Sequence, residues 1–249
     1  MTDHDDGIFN QQIAATYDVN EAEMFDPAVV DPVLDVLSGL AAGKPALEFG
    51  IGTGRIAVPL ASRGVPVHGI DISNAMMEKI KAKPAGDKIK VTTGDFSHTQ
   101  VDGSFGVVYL VFNTIMNLTS QAEQVACFQN AADHLDAGGY FVIEVMLPRL
   151  QWLVPGERLM TWEHSALHWG MDEYDIATQG LVSHHMHIID GEPVLSDTPC
   201  RYVWPAELDL MAQLASMSLV SRWQDWQQTP FDSQSREHVS IWRKTASST

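Results

Sequence analysis

Cysteine is nearly absent: the 249 residues contain two, Cys127 and Cys200. Two thiols so far apart make neither a disulfide framework nor a cysteine metal cluster. Cys127 falls on the apolar side of a predicted helix and reads as a buried, inert thiol. Basic residues are scarce, 15 Lys and Arg against 32 Asp and Glu, for a formal net charge of −17 with neutral histidines. That balance argues against nucleic acid or an anionic membrane as partner, since both require clustered cations. No apolar run is long enough to cross a bilayer. The start, Met1-Thr2-Asp3-His4-Asp5-Asp6, lacks the basic-then-apolar order of a signal peptide. A cytoplasmic location is the expectation. Internal repeats and low-complexity linkers are also missing.

What is present is an ordinary hydrophobic content of 45%, enough for one domain with a sizeable core and an insertion. Strand-like runs at 45–49, 66–70, 88–92, 105–111 and 140–145 alternate with helical patterns at 55–63, 74–82 and 121–135. This is the order of a parallel sheet covered on both faces. Asp31 with Pro32 reads as the start of an earlier helix, and Ser120 with Glu123 as a capping box. Residues 149–203 change character, with tryptophans, histidines and β-prone runs around a turn at Asp190-Gly191-Glu192-Pro193. The spacing predicts an N-terminal helical arm or lid (1–43) and an α/β cofactor-binding core (44–148). An antiparallel insertion forming a substrate roof (149–203) follows. The end of the α/β core, a helix and two antiparallel strands (204–249), completes the chain.

The most telling stretch is Ala46-Leu47-Glu48-Phe49-Gly50-Ile51-Gly52-Thr53-Gly54-Arg55. An apolar strand ends in a carboxylate, three glycines alternate, and a helix follows. Such glycines permit positive φ and let a ligand approach bare backbone. Asp71 ends the next strand, placed to accept both ribose hydroxyls, and Asp95 follows the third strand, placed to accept from an adenine amino group. Glu48 can accept from the cofactor's amino group. In an open α/β sheet, ligands sit at these strand ends. Arg55 occupies the position where a dinucleotide loop carries its third glycine, and no phosphate-cradling Lys-Ser/Thr pair is present. An adenosyl cofactor is therefore favoured over a dinucleotide, with a nucleotide-dependent oxidoreductase as the lesser alternative.

Residues 45–148 resemble the core of a class I S-adenosylmethionine-dependent methyltransferase of the small-molecule N- or O-methylating type. The resemblance rests on Leu47 to Gly54, on His68-Gly69-Ile70-Asp71-Ile72-Ser73, on Gly94-Asp95-Phe96, on Phe105-Gly106-Val107-Val108-Tyr109 and on Leu135 to Phe141. It implies a doubly wound, Rossmann-like, seven-stranded and mostly parallel sheet, with an antiparallel β insertion after the fifth strand. It implies S-adenosylmethionine as cofactor and S-adenosylhomocysteine as product. The cofactor set is then Tyr17, Glu48, Gly50, Gly52, Gly54, Arg55, Asp71, Ile72, Met76, Asp95, Phe96 and Phe112. In it Ile72 and Met76 pack on adenine and Phe112 flanks the methionine part. Gly106 departs from the family, which often has an acidic residue there. The segment Val111-Phe112-Asn113-Thr114 lacks the signature of enzymes that methylate DNA bases or glutamine amides.

The expected partner is a small-molecule substrate of specialised metabolism, and the chain is a monomer or homodimer. A cofactor-binding protein without transfer activity, regulatory or structural, is the alternative from another class. The candidates for catalysis are His164, His168, His185 and Asn113. A hydroxyl substrate benefits from a histidine base, whereas a solvated strand face accounts for the same histidines. His185 and His187 share one face of a strand and His184 the other. That pair shows no third ligand in the sequence, and no metal is expected. Asn113 and Asn117 orient substrate or serve a turn. Tyr17 lies over the cofactor or packs its helix, and Trp152, Trp162, Trp169 and Trp204 line a pocket or pack the core.

Overall fold

The alternating pattern folds into six α-helices and eleven strands among the residues described by the computed structural model, 6–189 and 191–245. The acidic start through Asp5 and the turn residue Asp190 lie outside these. In chain order the elements are α1 (Gln11–Asn20), α2 (Pro27–Ala41), β1 (Ala46–Phe49), α3 (Ala57–Ser62), β2 (Val67–Asp71), α4 (Asn74–Glu78), β3 (Lys90–Thr93), β4 (Phe105–Leu110), α5 (Gln121–His134) and β5 (Leu135–Met146). Then come β6 (Leu159–His164), β7 (His168–Asp175), β8 (Gly180–Ile189), β9 (Glu192–Arg201), α6 (Pro205–Leu214), β10 (Met217–Trp223) and β11 (Glu237–Lys244).

The main sheet has the order β3-β2-β1-β4-β5-β11-β10. Strands β1 to β5 run parallel, and β11 is antiparallel to both β5 and β10. This is the doubly wound, seven-stranded arrangement the sequence implies. Alternate side chains enter opposite layers. Leu47 and Phe49 join Phe128, Phe141 and Trp242 under α5 and α6, while Ala46 joins Val33, Leu34, Leu37 and Tyr109 under α2 and α3. Chain reversal between β1 and β4 puts the switch point, and hence the ligand crevice, at the carboxyl end of β1.

Helix α2 begins earlier than Asp31-Pro32. Asp26 caps it through Ala28 N–H at 2.8 Å, and Pro27 takes the first turn. Both aspartate-proline pairs carry the same signal. The earlier start adds a turn that buries Val30 beside Val33, Leu34 and Leu37, and Pro32 is tolerated inside at the loss of one backbone bond. Helix α5 carries the complete Ser120–Glu123 capping box. Gly106 has a local cause: a Cβ there would lie 2.8 Å from the Ala41 carbonyl oxygen and 2.9 Å from Lys44 Cβ. The end of α2 thus occupies the space an acidic side chain would need.

Strands β6 to β9 form a separate four-stranded antiparallel sheet, the insertion after the fifth strand. Its inner face is fixed by Tyr174 and Leu181, which enter the core with Phe128 and Phe141. The nearly buried Arg201 pins the far end of β9. It donates to Gln124 Oε1 at 2.5 Å and to Glu207 Oε1 at 2.8 Å.

Candidate active site

The loop after β1 is built from left-handed backbone: φ is +69° at Gly50, +54° at Gly52 and +80° at Gly54. Only glycine adopts three such conformations in five residues without strain. Asp71, at the end of β2, is nearly buried and joins the two loops at the crevice floor. Its Oδ2 accepts from Gly52 N–H at 2.7 Å and its Oδ1 from Ser73 N–H at 2.9 Å. Burial raises its pKa, and the bonds from Ser73 and Gly52 oppose that rise. Each oxygen retains a lone pair for a further donor. Ile72 beside it is an exposed aliphatic, 45% accessible, and Met76 lies beneath the loop. A Cβ built on Gly52 meets only Met76 Cε, at 3.6 Å, whereas one on Gly50 strikes the Thr114 methyl group.

Glu48 points into the α2–α3 layer. Its register partner on β4 is Tyr109, and the Tyr109 hydroxyl donates to Glu48 Oε2 at 3.0 Å. Burial pushes the Glu48 carboxyl up to about 8, with the Tyr109 bond and the Arg55 charge pulling it back in part. Arg55 also donates to the Met24 carbonyl oxygen at 3.3 Å and lies 5.2 Å from the Phe112 ring centroid. Phe112 and Asn113 both have positive φ, +57° and +63°. Glu144 of β5 holds this strained corner by accepting from Phe112 N–H and Trp226 Nε1–H, each at 2.8 Å. Tyr109 and Glu144 escaped the sequence reading. The alternation that puts Tyr109 on the Glu48 side was legible, but the register was not.

Asp95 closes its own turn, accepting from Ser97 N–H at 2.8 Å, with His98 Nδ1 3.6 Å away. Phe96 stacks on Phe49 at 5.8 Å between centroids. The N-terminal arm crosses both loops. Thr53 Oγ1 donates to Asp18 at 2.5 Å, and Lys83 bridges Asp18 at 2.6 Å and the Thr53 carbonyl oxygen at 2.8 Å. Ser73 Oγ donates to the Phe9 carbonyl oxygen at 2.5 Å, and Asn74 N–H to Asp6 at 2.8 Å. Tyr17 lies within electrostatic reach of Arg55 and Asp71; burial first, then the Glu21 charge, pushes its hydroxyl up to about 12.

The insertion brings His168, His185 and His187 together on its inner face, the face of Tyr174 and Leu181. His168 and His187 are direct cross-strand partners, and His168 Nε2 meets His185 Nδ1 at 3.2 Å. Trp162 packs edgewise on His168 and His185. Burial and the neighbouring imidazoles lower the His185 pKa to about 4. His184 faces outward to Asp197 at 2.8 Å and Glu173 at 3.5 Å. His164 pairs with Trp169 on that outer side, apart from the trio. Trp169 is half exposed and lines an outer concavity of about 600 Å³ with Met171, Met186 and Leu195. Trp152 is also half exposed, flanked by Arg149 and Arg236. Of the four tryptophans, Trp162 is the one placed against the histidines. Asn113 Oδ1 accepts from Met146 N–H at 2.7 Å.

Bare left-handed backbone, a buried carboxylate at the second strand end and an exposed aliphatic beside it fit an adenosyl group, and they define an adenosyl-cofactor α/β fold. The comparisons refine this. The methyltransferase-domain family matches residues 46–139. The CcbJ methyltransferase from Streptomyces caelestis is 34% identical, with a TM-score of 0.84, over 97% of this chain and 99% of that one. CalS10, an amino pentose methyltransferase from Micromonospora echinaspora solved with S-adenosylmethionine, shares the fold. It is 16% identical, with a TM-score of 0.65, over 87% of this chain and 90% of that one. An uncharacterised methyltransferase of Geobacillus sp. (strain WCH70) is 38% identical over 80 residues, 32% of this chain and 36% of the relative. The chain spans less than half the length of the curated relatives it matches. The chain belongs to the class I S-adenosylmethionine-dependent methyltransferases, and S-adenosylmethionine is its cofactor. Among the described residues, no helix is long and apolar enough to cross a membrane.

Proposed function

We propose that this protein methylates a nitrogen or oxygen of a small molecule in specialised metabolism, releasing S-adenosylhomocysteine. The observation that carries this reading is the likeness to CcbJ over nearly the whole of both chains, roof included. The amino pentose substrate class of CalS10 supports a compact polar acceptor.

When bound, the cofactor supplies an electrophilic methyl group. The protein's part is to position, to exclude water and to remove a proton. Asp71 and the glycine loop hold the ribose side, Ile72 and Met76 the adenine, and Asp95 with Phe96 the adenine rim. Glu48, kept in place by Tyr109, receives the amino group together with Arg55 and Phe112 at the methionine end. Tyr17 and the arm close over this site. Asn113, its Oδ1 committed to Met146, turns its amide NH2 to the substrate. A proton leaving the substrate passes to solvent along the polar inner face of the roof.

Calorimetry with S-adenosylmethionine and S-adenosylhomocysteine, followed by a labelled-methyl assay over a panel of amino sugars, amines and phenols, tests the reading. Saturable binding of both compounds with transfer to one panel class is expected. Failure to bind either compound refutes it, and binding without transfer to any acceptor favours a non-catalytic role.

A further inference from the structure

We propose that His168, His185 and His187 form a site for one late first-row divalent cation, of the Zn²⁺ class, on the inner face of the insertion sheet. One donor atom from each lies within 4.8 Å of the other two, and His168 Nε2 is 3.2 Å from His185 Nδ1. Around a tetrahedral ion with Zn–N bonds of about 2.0–2.1 Å, donors stand about 3.3 Å apart. One pair already has that separation. The rings are near-parallel, with interplanar angles of 6° for His168–His185 and His185–His187 and 11° for His168–His187. Bringing their lone pairs onto one ion requires rotation about χ2 from this stacked arrangement.

The placement is fixed by backbone. His168 is paired with His187 across β7 and β8, and His185 is two residues back on the same face. This explains why spacing along the chain revealed two ligands and concealed the third. The site also has the outer support that ligating histidines require. Ser183 Oγ lies 3.3 Å from His185 Nε2. Ser183 sits opposite Asp172 in the register and hydrogen-bonds its nearly buried carboxylate. The relay Asp172–Ser183–His185 favours the tautomer protonated at Nε2, which leaves the Nδ1 lone pair aimed at His168. Partners of this kind fix ring orientation and raise ligand basicity. Trp162, donating to Asp172 at 3.1 Å, walls the opposite side. Three imidazoles suit Zn²⁺, Cu²⁺, Ni²⁺ or Co²⁺ rather than Mg²⁺ or Ca²⁺. A half-buried trio leaves the fourth coordination position to water or to a substrate heteroatom. The proposal does not depend on methyl transfer.

The test uses the full-length chain without a histidine tag, stripped with chelator. Zn²⁺ is titrated by calorimetry, and Co²⁺ by its visible d–d absorption. One equivalent with micromolar or tighter affinity and a tetrahedral-type cobalt spectrum are expected. His168→Ala and His187→Ala should each weaken Zn²⁺ roughly tenfold or more, and Ser183→Ala about tenfold. His184→Ala, on the opposite face, should leave affinity unchanged. Circular dichroism without metal checks that each variant is folded, and His185→Gln supplies a milder replacement. The site is overturned by absent saturable binding, by wild-type affinity in His187→Ala, or by equal losses in His184→Ala and His187→Ala. Binding of S-adenosylhomocysteine, measured on the same samples, separates failure of this site from failure of the methyltransferase reading.

Discussion

Glu48→Gln should make the protein more stable at alkaline pH, by an amount its burial sets. The carboxyl is 3% exposed, with the Tyr109 hydroxyl 3.0 Å away, and its pKa in the folded chain is pushed up to about 8, chiefly by burial. In the unfolded chain a glutamate titrates near ~4.3. Below that range both states carry the proton, and Glu48 contributes no pH dependence. Above it the unfolded chain ionises while the folded chain keeps its proton, so stability falls as pH rises. The slope is about 1.4 kcal/mol per pH unit, and it ends once pH passes the folded value. From about 4.3 to about 8, the loss totals on the order of 4–5 kcal/mol. Glutamine keeps the shape and the acceptor for Tyr109 but cannot ionise. Urea unfolding of both proteins from about pH 5 to about pH 9 should therefore give curves that diverge steadily, the variant becoming the more stable. Saturating S-adenosylhomocysteine, whose amino group we assign to Glu48, should shorten the sloping range from its alkaline end, because an ammonium favours the carboxylate. Parallel stability–pH curves for the two proteins would refute the argument.

Asp71→Ala removes the acceptor shared by Gly52 and Ser73 and should weaken S-adenosylhomocysteine binding by about 1–3 kcal/mol; an unchanged calorimetric dissociation constant removes Asp71 from the site. Gly52→Val places a β-branched side chain at φ +54°, facing the crevice, and should abolish cofactor binding; normal affinity in a folded variant contradicts the close-approach argument. Arg201→Ala leaves Glu207 without its nearly buried partner and should cost roughly 3–5 kcal/mol of stability, read as a lowered midpoint in urea.

The parallel core was legible because each of its parts is local. A strand run, the glycines at 50, 52 and 54, and a carboxylate at the end of the next strand all lie within the single β1–α3–β2 unit, residues 46–71. Asp71 was legible as the acidic end of the second strand, but its bonds to Gly52 and Ser73 were not, since they require the β1–β2 register. The third histidine, the Tyr109–Glu48 pair and the clasp of Glu144 on Phe112 depend on strand pairing across long stretches of chain, which composition and periodicity do not encode. The tryptophans' two readings stayed open for a related reason: one residue of register decides whether Trp169 faces outward or joins Trp162. The doubled aspartate-proline signal before α2 was ambiguous locally and was resolved by burial of Val30.

The arm of residues 6–20, which ends in α1, spans the two crevice loops through Asp6, Phe9 and Asp18, each tied to a residue of the fold beneath. If the methyl donor lies beneath them, as proposed, its entry and departure require these ties to part. On the proposed reading, the expected kinetic order is donor before acceptor and spent donor last. Raised ionic strength should loosen the arm through Lys83, which joins Asp18 to the Thr53 carbonyl.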